Sequence, residues 1–427
     1  MNTLIIFGML MGLMAIGMPV GVALGLTVLT FMFGFTSVPV ESVALKMFTG
    51  IEKFEIMAIP FFILAGNFLT SGGVARRMIN FATAMVGHIT GGLGMSAVLA
   101  CALFAAVSGS SPATVVAIGS ILIPAMIKQG FSLRFAAGTV ASAGGLGILI
   151  PPSIVMVMYA VTTNASIGAL FMAGVVPGLL LAFMLGVATW WQARKHGFPR
   201  QPKESWANRM RYFREAVWGL LLIVVVMGGI YSGVFTATEA AAMSAVYAFL
   251  VAMFVYKDLS WRHIPKVLLD SANMSSMLLF IIASAVLFSF ILTSEQIPQR
   301  MAEMIVTSGL GPIGFLVVVN ILLLLAGNIM EPSSIILILA PILFPVAVAL
   351  GIDPIHFGVI VTVNMEIGMI TPPVGLNLFV ASGITRAGMT EMTMAVLPWL
   401  YTMLVFLALI TYVPQISLAL PRALGMM

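Results

Sequence analysis

Charge is what this sequence has least of. Only 8% of its 427 residues are Asp, Glu, Lys or Arg, against about 25% in soluble proteins. With 61% hydrophobic residues and a mean hydropathy of +1.14, that scarcity excludes a soluble enzyme and a disordered chain. Cysteine is almost missing too: Cys101 stands alone, which excludes a disulfide scaffold. The apolar runs do not alternate with polar residues, which excludes an outer-membrane barrel. Neither H-E-x-x-H nor G-x-x-x-x-G-K-[ST] occurs, so a zinc protease and an ATP-driven pump lack support. Ser108-Gly109 would suit an intramembrane serine protease, but the glycine wanted two residues earlier is Ala106. His88, His196, His263 and His356 lie apart, without metal-ligand spacing, and read as interfacial. What remains is a polytopic helical membrane protein.

Apolar stretches run at 3–16, 18–35, 57–71, 94–107, 113–127, 135–164 and 167–192, then resume at 216–234, 238–256, 271–293, 312–327, 335–350, 355–384 and 392–413. The apolar start lacks the basic region of a signal peptide and reads as a retained first helix. Between the two sets, 194–214 holds seven Lys/Arg and forms the one substantial linker. The net charge of +5 therefore fits the positive-inside rule and gives no reason to expect nucleic acid. Placing the linker in the cytoplasm, with five crossings per half, leaves only Lys46, Lys53, Arg300 and Arg422 outside. Both termini then face out.

The halves repeat. Adding 221 carries Pro124, Gly130, Gly147, Pro151, Pro152 and Pro177 onto Pro345, Gly351, Gly368, Pro372, Pro373 and Pro398, and Pro112 falls on Pro332 at 220. An odd number of crossings per half makes the repeats inverted, as in many secondary transporters.

The stretches 94–107 and 113–127 reach only about 21–22 Å as helix, short of a hydrocarbon core of about 30 Å. Their joint, Ser108-Gly109-Ser110-Ser111-Pro112-Ala113-Thr114, is small and uncharged. We read a re-entrant hairpin, repeated at 312–327 and 335–350 around Asn328-Ile329-Met330-Glu331-Pro332-Ser333-Ser334. Each tip proline suits the first position of a returning helix, with Ser111 and Glu331 at the capping position. The new helix offers free N–H groups to an anion, and the incoming arm offers carbonyls to Na⁺.

Gly144 to Pro152 and Glu366 to Pro373 then read as broken helices. Proline removes the bond to the carbonyl four residues back, which releases Gly147, Ile148, Gly368 and Met369. Broken backbone in a bilayer survives only inside protein or along a cavity. Carbonyls beside Ser and Thr hydroxyls suit a hard cation. Glu239, Glu331 and Glu366 lie inside apolar stretches and are functional candidates, although Glu239 after Thr236 also suits a helix start. Taken singly, the serines could simply bond their own helix and the prolines could simply kink one. Both features recurring in both halves favours a transport site.

The tip 108–114, the break 144–152 and Thr371-Pro372-Pro373-Val374-Gly375-Leu376-Asn377 resemble the large membrane subunit of TRAP (tripartite ATP-independent periplasmic) transporters. The resemblance covers essentially the whole chain. It implies an all-α inverted repeat of the divalent-anion/Na⁺ symporter type, working as an elevator in the bacterial inner membrane. The implied layout is a first repeat at 1–192 (scaffold 1–56, transport part 57–192), a linker at 193–214 and a second repeat at 215–427 (scaffold 215–270, transport part 271–427). It implies Na⁺-driven import of a carboxylate-bearing solute delivered by a periplasmic binding protein, beside a small four-helix membrane subunit and membrane lipid. The implied Na⁺ ligands are Ser108, Ser110, Ser111, Gly145 and Gly147, and Glu331, Ser333, Ser334, Gly368 and Thr371. Substrate would meet Ser110, Ser111, Asn328, Glu331 and Asn377. The overall look leans to the sialic-acid branch over the C4-dicarboxylate branch. A stand-alone carboxylate/Na⁺ symporter is the alternative; an ion channel would need a filter sequence that is absent.

Overall fold

The computed structural model describes residues 2–36, 39, 41–307, 309 and 311–427. Every regular element among them is helical, and nine helical segments are long and apolar enough to cross a membrane. Ile167–His196 and Ile264–Ser294 are 30 and 31 residues long, about 45 Å each at 1.5 Å per residue. The first ends as the sequence directs: Arg194, Lys195 and His196 fill its last turn and Gly197 caps it at φ +68°. Arg194 and Lys195 lie over the rings of Trp190 and Trp191, a pairing suited to a membrane surface.

Both hairpins form. The first pairs Gly92–Ser108 with Ser111–Lys128, and the second pairs Pro312–Gly327 with Pro332–Ala349. These arms hold 16 to 18 residues, more than the 14 and 15 expected of the first pair, because Gly92, Leu93 and Ser108 extend one arm and Ser111, Pro112 and Lys128 the other. Arm length alone therefore sits at the lower edge of a crossing helix. Burial of the first joint is the better sign of a hairpin: Ser108, Gly109 and Ser111 are enclosed in protein.

Both breaks form as well. The run 135–164 divides into Leu133–Ala143, Leu146–Leu149 and Ile154–Thr163, and 355–384 into Pro354–Gly368 and Leu376–Thr385. Gly130 and Gly351 both adopt positive φ, so the repeat extends to the backbone.

Outside the hairpins, Val20–Phe35 and Glu41–Ile51 pack on Ile264–Ser294. Ala58–Ser71 packs chiefly on Ala237–Leu250 and also on Ile264–Ser294. The expected division at 270/271 falls inside that continuous 31-residue helix. Glu239 starts its helix in a capping box with Thr236. His356, in the first turn of its helix, is enclosed by protein, with Nδ1 2.7 Å from Ser417 Oγ. A serine from the C-terminal helix meets a polar ring atom that would otherwise be stranded.

Candidate functional site

Tip one is a knot of hydroxyls around one carbonyl. Ser108 Oγ lies 2.8 Å from Thr114 Oγ1. The Ser110 carbonyl accepts from Thr114 Oγ1 at 2.9 Å and from Ser108 Oγ at 3.2 Å. Gly109, at φ +60°, makes the turn. The capping residue is Ser110, not Ser111: Ser110 is extended (φ −140°, ψ 127°) and its side chain makes no capping bond. The helix begins one residue earlier than expected because Pro112 suits its first turn. Ser111 is thereby turned inward, fully buried, where Asn377 Nδ2 donates to its hydroxyl at 2.8 Å. Asn377 also donates to the Ala141 carbonyl at 3.0 Å.

Break one lies directly against this tip. A Cβ on Gly147 would stand 2.6 Å from the Ser110 carbonyl oxygen and 2.9 Å from Ser111 N. Ser108, Ser110, Ser111 and Gly147 are thus brought together, and Thr114 joins them, one helical turn beyond Ser110. Gly145 faces the other way: its missing Cβ would stand 2.6 Å from Cγ of Glu366.

Tip two repeats the backbone and changes the chemistry. Gly327 abuts Gly368 of break two, where a Cβ on Gly368 would stand 2.7 Å from the Gly327 Cα. Val374 N donates to the Asn328 carbonyl at 3.0 Å. Glu331 caps the returning helix, its carboxylate accepting from Ser333 N at 3.3 Å, from Ser333 Oγ, and from Ser334 Oγ at 3.3 Å. Both tips were expected to welcome an anion. At tip two that place is taken by the chain's own carboxylate, whereas the helix end at tip one lacks such a cap. Glu331, Ser333 and Ser334 therefore assemble on one side, and Asn328, Gly368 and Thr371 along the break. Asn377, also expected at the substrate site, reaches across to tip one.

The breaks expose fewer carbonyls than proline alone predicts. Ser153 Oγ donates to Ile148 O at 2.6 Å, Asn377 N to Met369 O at 2.9 Å and Thr371 N to Gly368 O at 3.2 Å. Local donors replace the lost helical ones, as a buried carbonyl demands. No bond to the Gly147 carbonyl is seen among the described residues.

A cavity of about 940 Å³ runs beside tip two, between the N-terminal helices, Ile264–Ser294 and the second hairpin. Met14, Phe280 and Ile281 line one side, and Met330, Glu331 and Ser334 the other.

Residues 7–416 match the family described as the tripartite ATP-independent periplasmic transporter, DctM component. The chain belongs to this family. As a DctM component it is a large permease of a TRAP transporter, a multi-pass inner-membrane protein and not an enzyme. It is 67% identical, over the full length of both chains, to a C4-dicarboxylate TRAP transporter large permease of Rhodobacter capsulatus. Identity is 57%, over 95% of each chain, to the Pseudomonas aeruginosa protein of the same name. The sialic acid large permease of Vibrio cholerae, covering 98% of this chain and 97% of its own, is 39% identical. The expected lean to the sialic-acid branch finds no support in these identities, which are higher to the C4-dicarboxylate permeases. Among solved structures, the YdaH transporter of Alcanivorax borkumensis aligns with a TM-score of 0.64 over 91% of this chain and 90% of its own, at 15% identity. That likeness bears on the fold of this DctM component alone.

Proposed function

We propose that the chain imports a C4-dicarboxylate across the inner membrane, driven by Na⁺, with substrate delivered by a periplasmic binding protein and a small membrane subunit alongside. The observation that carries the substrate class is 67% identity, end to end, with a C4-dicarboxylate permease. The tips support a division of labour. Tip one offers a helix N-terminus whose positive dipole end lacks a capping side chain, with the partly exposed Ser110 at that end. It takes a substrate carboxylate. No Arg is present at either tip, so N–H groups and hydroxyls do the recognition. Tip two, already carrying the Glu331 carboxylate, takes the cation with Ser333, Ser334 and nearby backbone oxygens. Ser108 and the Gly147 carbonyl offer a second Na⁺ place behind tip one.

The apolar cavity beside tip two supports an elevator: a surface of Met, Phe and Ile presents few directional bonds to break when the hairpin part slides. Uptake into proteoliposomes holding both membrane subunits, with the binding protein outside, tests the reading. A C4-dicarboxylate should accumulate under an inward Na⁺ gradient and without ATP. Sialic acid transported in preference would overturn the substrate class, and uptake indifferent to Na⁺ would overturn the coupling.

A further inference from the structure

The two residues that meet at the centre of the transport part are separated by the repeat offset itself. Gly145 plus 221 is Glu366, so break one and break two touch at equivalent positions, one holding no side chain and the other a carboxylate. A Cβ on Gly145 would stand 2.7 Å from Glu366 Oε1, so the missing side chain leaves the room in which the carboxylate lies. Glu366 is 0% exposed, and neither of its oxygens has a hydrogen-bond partner among the described residues.

Among the described residues, no hydrogen bond or ion pair from a basic group reaches it. Leu146–Leu149, Ile154–Thr163, Pro312–Gly327, Pro332–Ala349 and Met389–Tyr412, which pack on its helix, contain no Lys or Arg. Arg194 and Lys195 close the far end of Ile167–His196, and Arg422 is exposed. Asp353 and His356 sit ten or more residues away on the same helix, at least about 15 Å along its axis. An ionised carboxylate cannot stay buried and unpaired, since desolvation costs several kcal/mol per ion. A neutral acid would leave its O–H without an acceptor. A hard cation engages both oxygens at once, and the single negative charge of one carboxylate is balanced by a monovalent ion such as the Na⁺ of the transport reading. One further buried oxygen lies close by in sequence: the Ser142 hydroxyl, three residues before Gly145 and without a partner among the described residues.

We infer that Glu366 anchors a third monovalent-cation site, for Na⁺, on the seam where the two repeats meet at Gly145. It is additional to the sites at the two tips and rests on the transport reading above. Because one repeat carries glycine and the other glutamate, the seam holds a single charge and a single ion. The cation joins the two breaks, so its binding ties the halves of the transport part into one moving body.

The test compares wild type with Glu366→Gln, which keeps shape and removes charge, in the reconstituted complex. Radioactive Na⁺ binding to the purified complex should fall by one ion per large subunit, and the Na⁺:substrate ratio from reversal potentials should fall with it. Glu366→Asp should keep the ion count and raise the half-saturating Na⁺ concentration. A Gln variant with the wild-type ion count overturns the site and leaves Glu366 as a protonated acid. Should the Gln variant fail to accumulate, an Asp variant with a wild-type Na⁺ titration overturns it equally. Wild-type uptake indifferent to Na⁺ would instead sink the parent transport reading, so the two failures are distinct.

Discussion

Ser111 and Asn377, 266 positions apart, are joined by a 2.8 Å hydrogen bond in a fully buried setting, with Asn377 Oδ1 a further 3.1 Å from the same hydroxyl. The second repeat's break thereby holds the first repeat's tip. Asn377→Ala would leave the Ser111 hydroxyl and the Ala141 carbonyl short of a donor, a cost of about 1–3 kcal/mol. Asn377→Ala and Ser111→Ala should each lower the melting temperature of the detergent-solubilised complex. The double variant should lose less than the sum, with a coupling of about 1 kcal/mol. Strictly additive losses would show that the bond does not hold the tip.

Ser110 behaves differently because its hydroxyl caps nothing. Ser110→Ala should leave melting unchanged and reduce C4-dicarboxylate uptake by about tenfold or more, the loss of one hydrogen bond to a charged group. Unchanged uptake at limiting substrate would place the carboxylate elsewhere.

Glu331→Gln preserves an acceptor for Ser333 N and removes the charge. The half-saturating Na⁺ concentration should rise by about tenfold, with the preference among dicarboxylates unchanged. If instead substrate preference shifts while the Na⁺ titration stays in place, tip two serves the anion.

Glycine and proline made much of this architecture legible. Both hairpins and both breaks lie where Ser-Gly-Ser-Ser-Pro, Asn-Ile-Met-Glu-Pro and the Pro-Pro pairs place them, because those residues dictate backbone whatever surrounds them. Glu41–Ile51 and Val74–Val86 escaped, since their polar faces hide them from a search for continuous apolar runs. The destinations of buried polar groups escaped as well. Asn377 belongs by sequence to break two, and only the packing of Leu376–Thr385 on the first hairpin carries it to Ser111. The offset of 221 was plain in the prolines, yet it does not say where the repeats touch. That Gly145 meets Glu366 is set by the packing of the two breaks.

The basic residues predict the sidedness of the chain. Cys101 is buried, so an introduced surface thiol stands out against little background. Lys203→Cys should react with an impermeant maleimide only from the cytoplasm, and Arg422→Cys only from the periplasm. Labelling of both from one side would contradict the odd number of crossings between them and the inverted repeat.

The small subunit should dock on the scaffold, leaving the hairpins free to slide. Phe33, Phe35 and Phe48 are exposed on helices that pack against Ile264–Ser294. A photo-crosslinker at Phe48 should capture the small subunit, and probes within 94–127 or 312–350 should not. Capture mainly through the hairpins would contradict a fixed scaffold.

Gly147→Ala tests whether tip one must rest on break one. Its Cβ would meet the Ser110 carbonyl oxygen at 2.6 Å, its carbon at 2.7 Å and Ser111 N at 2.9 Å. All three are backbone atoms, which cannot swing aside as the end of a side chain can. Relief requires the tip to move, and overpacking of this kind costs about 1–3 kcal/mol. That displacement carries the Ser110 carbonyl and the helix N-terminus away together, so uptake should fall by about tenfold or more even if the complex assembles. Gly383→Ala is the matched control: it lies in Leu376–Thr385 with nothing within 4 Å of its would-be Cβ. Alanine there should stabilise the helix by about 0.5–1 kcal/mol and leave uptake intact. Equal uptake by the two variants would mean that the tip tolerates separation from the break, and the contact between Gly147 and Ser110 would then be packing without a part in transport.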